Sequence, residues 1–167
     1  GTSKDYAKAA YWLEFAAKQG NAEALNRLGE MLENGLGVKQ DFQAALRCYK
    51  LSAEKKHPAA EFNIGLMYEL HRGVEQDDIE AIRWYKLAAN LGHVEAHYRI
   101  GYLNLMGISV KQDFDEAMHW FHLLALKGHT NSQVRLGEIY DKGLGTEQNY
   151  AEAMKWYTLA SKHRSAE

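Results

Sequence analysis

The chain has 167 residues, of which 46% are hydrophobic and 25% charged, and its formal charge is −2. So small a charge gives no field to gather nucleic acid or anionic lipid, and no run of 18 apolar residues offers a membrane span. One Cys excludes an internal disulfide, and 14 Gly against a single Pro point to a specific use for glycine.

Gly1-Thr2-Ser3 stands outside any pattern and reads as a cloning remnant, so the lack of a leader sequence is uninformative. From residue 4 onward, a shift of 36 residues aligns the chain with itself. Residues 4–20 form a trailing half repeat with one helix expected over 5–19. Four complete repeats follow without a slip in register, at 21–56, 57–92, 93–128 and 129–164. Each reads as helix, glycine loop, helix and tight turn. The second repeat shows this plainly. Pro58 sits where a first-turn proline is tolerated, and the helix it opens runs to Leu70. His71-Arg72-Gly73-Val74 then turns the chain, and Asp77 opens a helix that ends at Gly92. The expectation is nine helices, five of the capped kind and four carrying an internal glycine.

The columns explain the composition. Asp5, Asp41, Asp77, Asp113 and Asn149 occupy one column of helix caps, each worth ~1 kcal/mol. Glu80, Glu116 and Glu152 follow three residues later, as in a capping box. Gly29, Gly65, Gly101 and Gly137 lie inside helices, where glycine costs ~1 kcal/mol relative to alanine. That repeated cost predicts a second helix crossing too close for a Cβ, with the Trp and Tyr columns as its partners. Trp12, Trp84, Trp120 and Trp156 share a column in which Cys48 takes the fifth place, and core packing is their expected role. A period in this range with two helices per unit indicates a solenoid.

The motif Ala96-x-x-x-Ile100-Gly101, Gly107-x-x-Val110-x-x-Asp113, Ala117-x-x-Trp120-Phe121-x-x-Leu124-Ala125-x-x-Gly128 resembles the Sel1-like repeat. Leu136-Gly137-x-x-Tyr140-x-x-Gly143-x-Gly145 and Ala153-x-x-Trp156-Tyr157 carry the same likeness. It extends over residues 4–164, with departures at Cys48, Lys56, His71, Ser109 and Arg164. Sel1-like repeats are similar to tetratricopeptide repeats. The resemblance implies an all-α, right-handed superhelix of antiparallel helix pairs that serves as a non-enzymatic scaffold for protein–protein contacts. It also implies a setting such as bacterial signalling, envelope function or host interaction, or eukaryotic endoplasmic-reticulum degradation.

In such a superhelix the first helix of each pair lines the concave face. With the Leu-Gly pair facing the core, the opposite stripe falls at 23, 26, 30, 33 and 34 and at the same places 36 residues on. The flanking repeats place mostly polar and acidic residues there, among them Glu138. The central repeats place Phe62, Leu66, Glu69 and Leu70, then Glu95, Tyr98, Tyr102, Leu105 and Met106. An apolar patch rimmed by charge predicts a groove for an apolar or aromatic segment with basic flanks. Packing between neighbouring first helices is the competing role for these rings. Arg27, Arg99 and Arg135 run along the groove edge as a possible carboxylate clamp, against which stand helix-face pairs with Glu23, Glu95 and Glu138.

Chemistry is sparse. His93 with His97 and His119 with His122 have helical metal-ligand spacing, but no carboxylate or Cys cluster completes a site. No nucleophile elbow, phosphate loop or metalloprotease motif occurs, so neither catalytic residues nor a cofactor is expected. A second reading is a binder of a small molecule or peptidoglycan fragment, with or without hydrolase activity, in the same groove. A third is self-association through the terminal helices, where Tyr11 or Phe15 should face water. The bacterial cytoplasm, the periplasm and the exterior all remain open as compartments.

Overall fold

The computed structural model describes residues 3–108 and 110–164, with side chains from 5 to 162 except 109. The exceptional loop residue Ser109, the side chain of Arg164 and most of the terminal Gly1-Thr2-Ser3 segment therefore lie outside the description. Among the described residues the chain forms nine helices and no strand. They are α1 (Ser3–Lys18), α2 (Ala22–Asn34), α3 (Phe42–Ala53), α4 (Pro58–Glu69), α5 (Asp78–Asn90), α6 (Val94–Met106), α7 (Phe114–Ala125), α8 (Thr130–Lys142) and α9 (Tyr150–Arg164). The chain divides into two compact units, Gly1–His93 and Val94–Glu167. In the first, α2 packs on α3 and α4 on α5, while α1·α2 and α3·α4 contacts join the layers. In the second, α6 packs on α7 and α8 on α9, and α7 joins α8.

Four caps form as the sequence predicts. The side chains of Asp41, Asp77, Asp113 and Asn149 accept from the backbone N–H three residues on, at 2.8–3.0 Å. Asp5 differs, since α1 begins at Ser3 and carries it inside the first turn. The acids of the expected capping boxes turn down their helices instead. Glu80 pairs with Arg83, Glu116 accepts from the Trp120 indole and Glu152 pairs with Lys155.

The loops share one geometry. Gly35, Gly107 and Gly143 have φ of +67°, +65° and +65°, and His71 adopts +55° in the same column. The sequence departure at His71 leaves the left-handed turn intact, at the steric cost a non-glycine residue bears there. In three of the four loops a glutamine then ties the loop back to the preceding helix, whereas Gln76 in the fourth donates to Asp78. Gln40, Gln112 and Gln148 donate to the carbonyls of Glu33, Leu105 and Asp141 at 2.7–2.8 Å. Backbone N–H groups of Asp41, Asp113 and Asn149 donate to Leu32, Asn104 and Tyr140 beside them.

The glycines inside α2, α4, α6 and α8 make room for one aromatic ring each. A Cβ at Gly29 or Gly65 would stand 2.5 Å from the ring of Tyr49 or Tyr85, and one at Gly101 2.9 Å from Phe121. Gly137 receives Tyr157 in the same way. The partner column is therefore Tyr49, Tyr85, Phe121 and Tyr157, one residue beyond the Trp column. Tyr49, Tyr85 and Phe121 are wholly buried, whereas Trp84, Trp120 and Trp156 are half-buried and Trp12 is exposed. The Trp column is thus the rim of the core, not its centre.

The ring column also explains the acids of the first helices. Tyr49 donates to Glu33 at 2.6 Å, and Glu33, only 9% exposed, also receives Arg72 at 2.5 Å. Tyr85 donates to Glu69. Where the ring is Phe121, the position sixteen residues earlier is Leu105, 4% exposed and part of the same core cluster. Tyr157 has Asp141 at that offset; burial first, and then the Asp141 charge, raises the pKa of its hydroxyl.

Candidate functional site

The predicted stripe separates into two sets, one on each unit. On the first unit, Phe62 stacks against His93 with ring centres 4.5 Å apart and lies 5.4 Å from Tyr85. It is half-buried, and so is Leu66, while Leu70 is exposed. Glu69 faces inward to the Tyr85 hydroxyl and is no groove acid. Beside them runs a polar ladder the sequence pattern passed over. Asn63 donates to Asn26 Oδ1 at 3.1 Å, and Asn26, buried, donates to Glu30 at 2.8 Å. Asn63, an interruption of the arginine column, is a structural link between α2 and α4.

On the second unit the predicted residues converge more closely. Tyr98 lies 5.7 Å from Phe121 and 5.5 Å from His129, so half of its ring packs inward. Its hydroxyl accepts from Arg135 Nε at 3.2 Å. The same guanidinium donates to Glu138 at 2.7 Å and lies 5.6 Å from the centre of the Tyr102 ring. Three partners from α6 and α8 thus hold one half-buried cation, and the Tyr98 hydroxyl, then Glu138, hold its proton more firmly than usual. Tyr98 and Tyr102 are half-buried and pack against the core cluster of this unit, while Met106 is 44% exposed and Glu95 is exposed. Leu105 leaves the predicted groove set, because its side chain belongs to the core.

The arginine column does not act as one clamp. Arg27 pairs with Glu23 on its own helix, as the i,i+4 spacing predicts. Arg27 first, and then His57 at 2.9 Å, holds the Glu23 carboxyl below its usual range. Arg135 is committed to Tyr98, Tyr102 and Glu138. Arg99 is half-buried and engaged in interactions of its own.

The histidines are used structurally. His129 caps α8 through Ser132, and burial lowers its pKa below the usual imidazole range. His97 and His119 set their ring edges against Trp120, and His122 does so against Trp156. Among the described residues no group of three or more His, Cys, Asp or Glu is placed to hold a metal ion. Among them, too, no helix is long and apolar enough to cross a membrane.

A Sel1 repeat profile matches five successive segments, 1–21, 22–57, 58–93, 94–129 and 130–165. The chain belongs to the Sel1-repeat family. A Sel1 repeat protein from Oxalobacter formigenes superimposes with a TM-score of 0.82 at 30% identity, covering 94% of this chain and 69% of that one. A protective antigen of uropathogenic Escherichia coli strains, described as displaying an SLR fold, gives a TM-score of 0.88 at 29% identity over 94% of this chain. This chain spans about a third of that antigen's length (34%). An immunity protein from Pseudomonas aeruginosa shares the fold at 23% identity and a TM-score of 0.61, with 96% and 60% of the two chains covered. No curated protein matches the chain in sequence. The Sel1-repeat fold is commonly a scaffold for protein interaction.

Proposed function

We infer that this Sel1-repeat chain is a non-enzymatic interaction scaffold. In this reading the Tyr98–Tyr102 face of the second unit receives a peptide or protein segment. The observation that carries it is the Arg135 arrangement. A half-buried cation braced by Tyr98, Tyr102 and Glu138 fixes the positions of two half-buried tyrosines. Fixed aromatic rings contribute contact area at low entropic cost, and Tyr is enriched where binding energy concentrates. The Tyr85 and Arg135 partnerships of Glu69 and Glu138 remove much of the acidic rim that suggested a basic ligand. The favoured segment is therefore one with an apolar or aromatic side chain, without a required basic flank.

The test uses peptides selected from a display library on the intact chain. Tyr102→Ala, and the pair Tyr98→Ala with Tyr102→Ala, should weaken the selected peptides at least tenfold. Helical circular dichroism monitors the fold, because Tyr98 also packs on Phe121. Unchanged affinity in a folded Tyr102→Ala chain rules out this face.

A further inference from the structure

The break in the Trp column at Cys48 coincides with an open cleft. Its volume is about 610 Å³, and α1, α2 and α3 wall it. The floor is Ala10, Leu28, Leu32 and Val38, with Ala44, Cys48 and Leu51 along α3. Tyr11, Glu14 and Arg47 stand among its lining residues. The size lies within the range of small-molecule pockets, roughly 300–1,000 Å³.

The repeat itself shows what normally occupies this place. One repeat on, Trp84, Tyr68 and Val74 pack against a cluster that contains Leu46 and Ile64. Leu46, Ile64, Tyr68 and Val74 stand in the columns of Ala10, Leu28, Leu32 and Val38. On the second unit, Trp156 and Met118 pack against a cluster that contains Leu136, and Leu136 and Met118 stand in the columns of Leu28 and Ala10. The first repeat thus has Cys for Trp, Ala for Leu or Met, and Leu for Tyr at one spot. Each change removes volume from the same space. A void lined by apolar atoms forfeits their dispersion contacts, so a group that restores them binds favourably. The polar detail is specific as well. The Trp120 indole N–H donates to Glu116 at 2.8 Å, four residues before it. The position four residues before Cys48 is Ala44, so the carboxylate that lines the cleft comes from α1, as Glu14. Glu14 pairs with Lys18 at 3.6 Å on the same helix.

We propose that the α1–α2–α3 cleft is a binding site for a small planar aromatic molecule of the indole class, whose ring takes the place of the missing tryptophan and whose ring N–H donates to Glu14. The site is separate from the Tyr98–Tyr102 face, and the failure of either leaves the other standing.

Indole itself is the probe. In the wild-type chain it should raise the melting temperature in a saturable way, as any ligand selective for the folded state does. Cys48→Trp should raise the melting temperature without ligand and abolish the indole-dependent rise. A second readout needs no variant. Cys48 is the chain's single thiol, so its alkylation by iodoacetamide reports on the cleft alone. Burial raises the thiol pKa, so the reaction is followed at mildly alkaline pH. Indole at ten times its dissociation constant should slow alkylation about tenfold, in proportion to the fraction of cleft left empty. No stabilisation of the wild type, or no protection of the thiol, overturns the proposal. So does N-acetyltryptophanamide binding ten times more tightly than indole, which would make the occupant a partner's side chain.

Discussion

The pairs α4–α5 and α6–α7 occupy successive repeats and solve one packing problem in two chemistries. In α4–α5, Gly65 receives the ring of Tyr85, whose hydroxyl ends on Glu69. In α6–α7, Gly101 receives Phe121, and the place of the acid is taken by Leu105, buried in the same cluster. The repeat dictates that a flat ring lies on a bare helix backbone. It leaves open what stands beyond the ring's far edge, provided that both positions change together. A polar group at one and a hydrocarbon at the other would strand a buried donor or acceptor, which costs about 1–3 kcal/mol.

The strongest way to break this comparison is to fill the glycines. Gly65→Ala and Gly101→Ala should each lower stability by about 1–3 kcal/mol, the usual cost of overpacking. The first should lose more. Its Cβ would stand 2.5 Å from Tyr85 with the Ala81 carbonyl at 3.1 Å, against 2.9 Å from the Phe121 edge in the second. Urea denaturation at pH 7 measures both, and a gain in stability from the better helix former would refute the close-crossing account.

Exchange of the two chemistries gives a smaller, more diagnostic effect. Phe121→Tyr alone should cost about 1–3 kcal/mol, because its hydroxyl meets hydrocarbon. Leu105→Glu alone should also destabilise. The double substitution recreates the α4–α5 arrangement and should recover most of the loss, which a double-mutant cycle reads as favourable coupling. Additive losses would mean that the acid and ring columns are independent.

The smallest effect concerns pH and separates the two units. Burial, helped in one case by a neighbouring histidine, lowers the pKa of His122 and His129 in the second unit. The unfolded chain then binds more protons, so their contribution to stability is lost as pH falls below about 6.5. Glu61 in the first unit behaves oppositely. Burial raises its carboxyl pKa, so the folded state binds more protons and stability falls as pH rises from the unfolded value into the neutral range. Its column-mate Gln133 donates to the Ala125 carbonyl at 3.0 Å; Gln133 Oε1 and Glu61 Oε2 are both buried without a partner, but only the glutamate brings a charge there. Glu61→Gln should therefore raise the melting temperature at pH 7 and change it little near pH 4. Equal shifts at both pH values would place the cause elsewhere than in ionisation.

Much of this architecture is legible in the sequence because a repeated cost or a repeated side chain has one physical use. Asp41, Asp77, Asp113 and Asn149 announce helix starts, and four interior glycines announce a close crossing. Which ring fills that crossing is harder to see, since Trp84 and Tyr85 are adjacent and both large. The structure takes Glu69 and Leu105 out of the expected groove, because neither an acid nor a leucine on a helix shows its inward partner in its own stretch of sequence. The clue lay sixteen residues downstream, where Glu accompanies Tyr and Leu accompanies Phe. Tyr98 and Arg135 meet at an offset of 37, as do Asn26 and Asn63, a diagonal that a strict 36-residue comparison skips.

The glutamine ties of the loops carry a last consequence. Gln40, Gln112 and Gln148 join three of the four loops to the helix before them, next to a backbone bond from the following cap residue. Both attachments depend on a fixed count of residues between them. One of these loops lengthened by one residue would misalign two hydrogen bonds and the cap at once, so an insertion there should cost stability. A repeat whose ties are internal can, by contrast, be gained or lost whole without breaking one. Such a chain changes its length in steps of 36 residues and its surface one helix at a time.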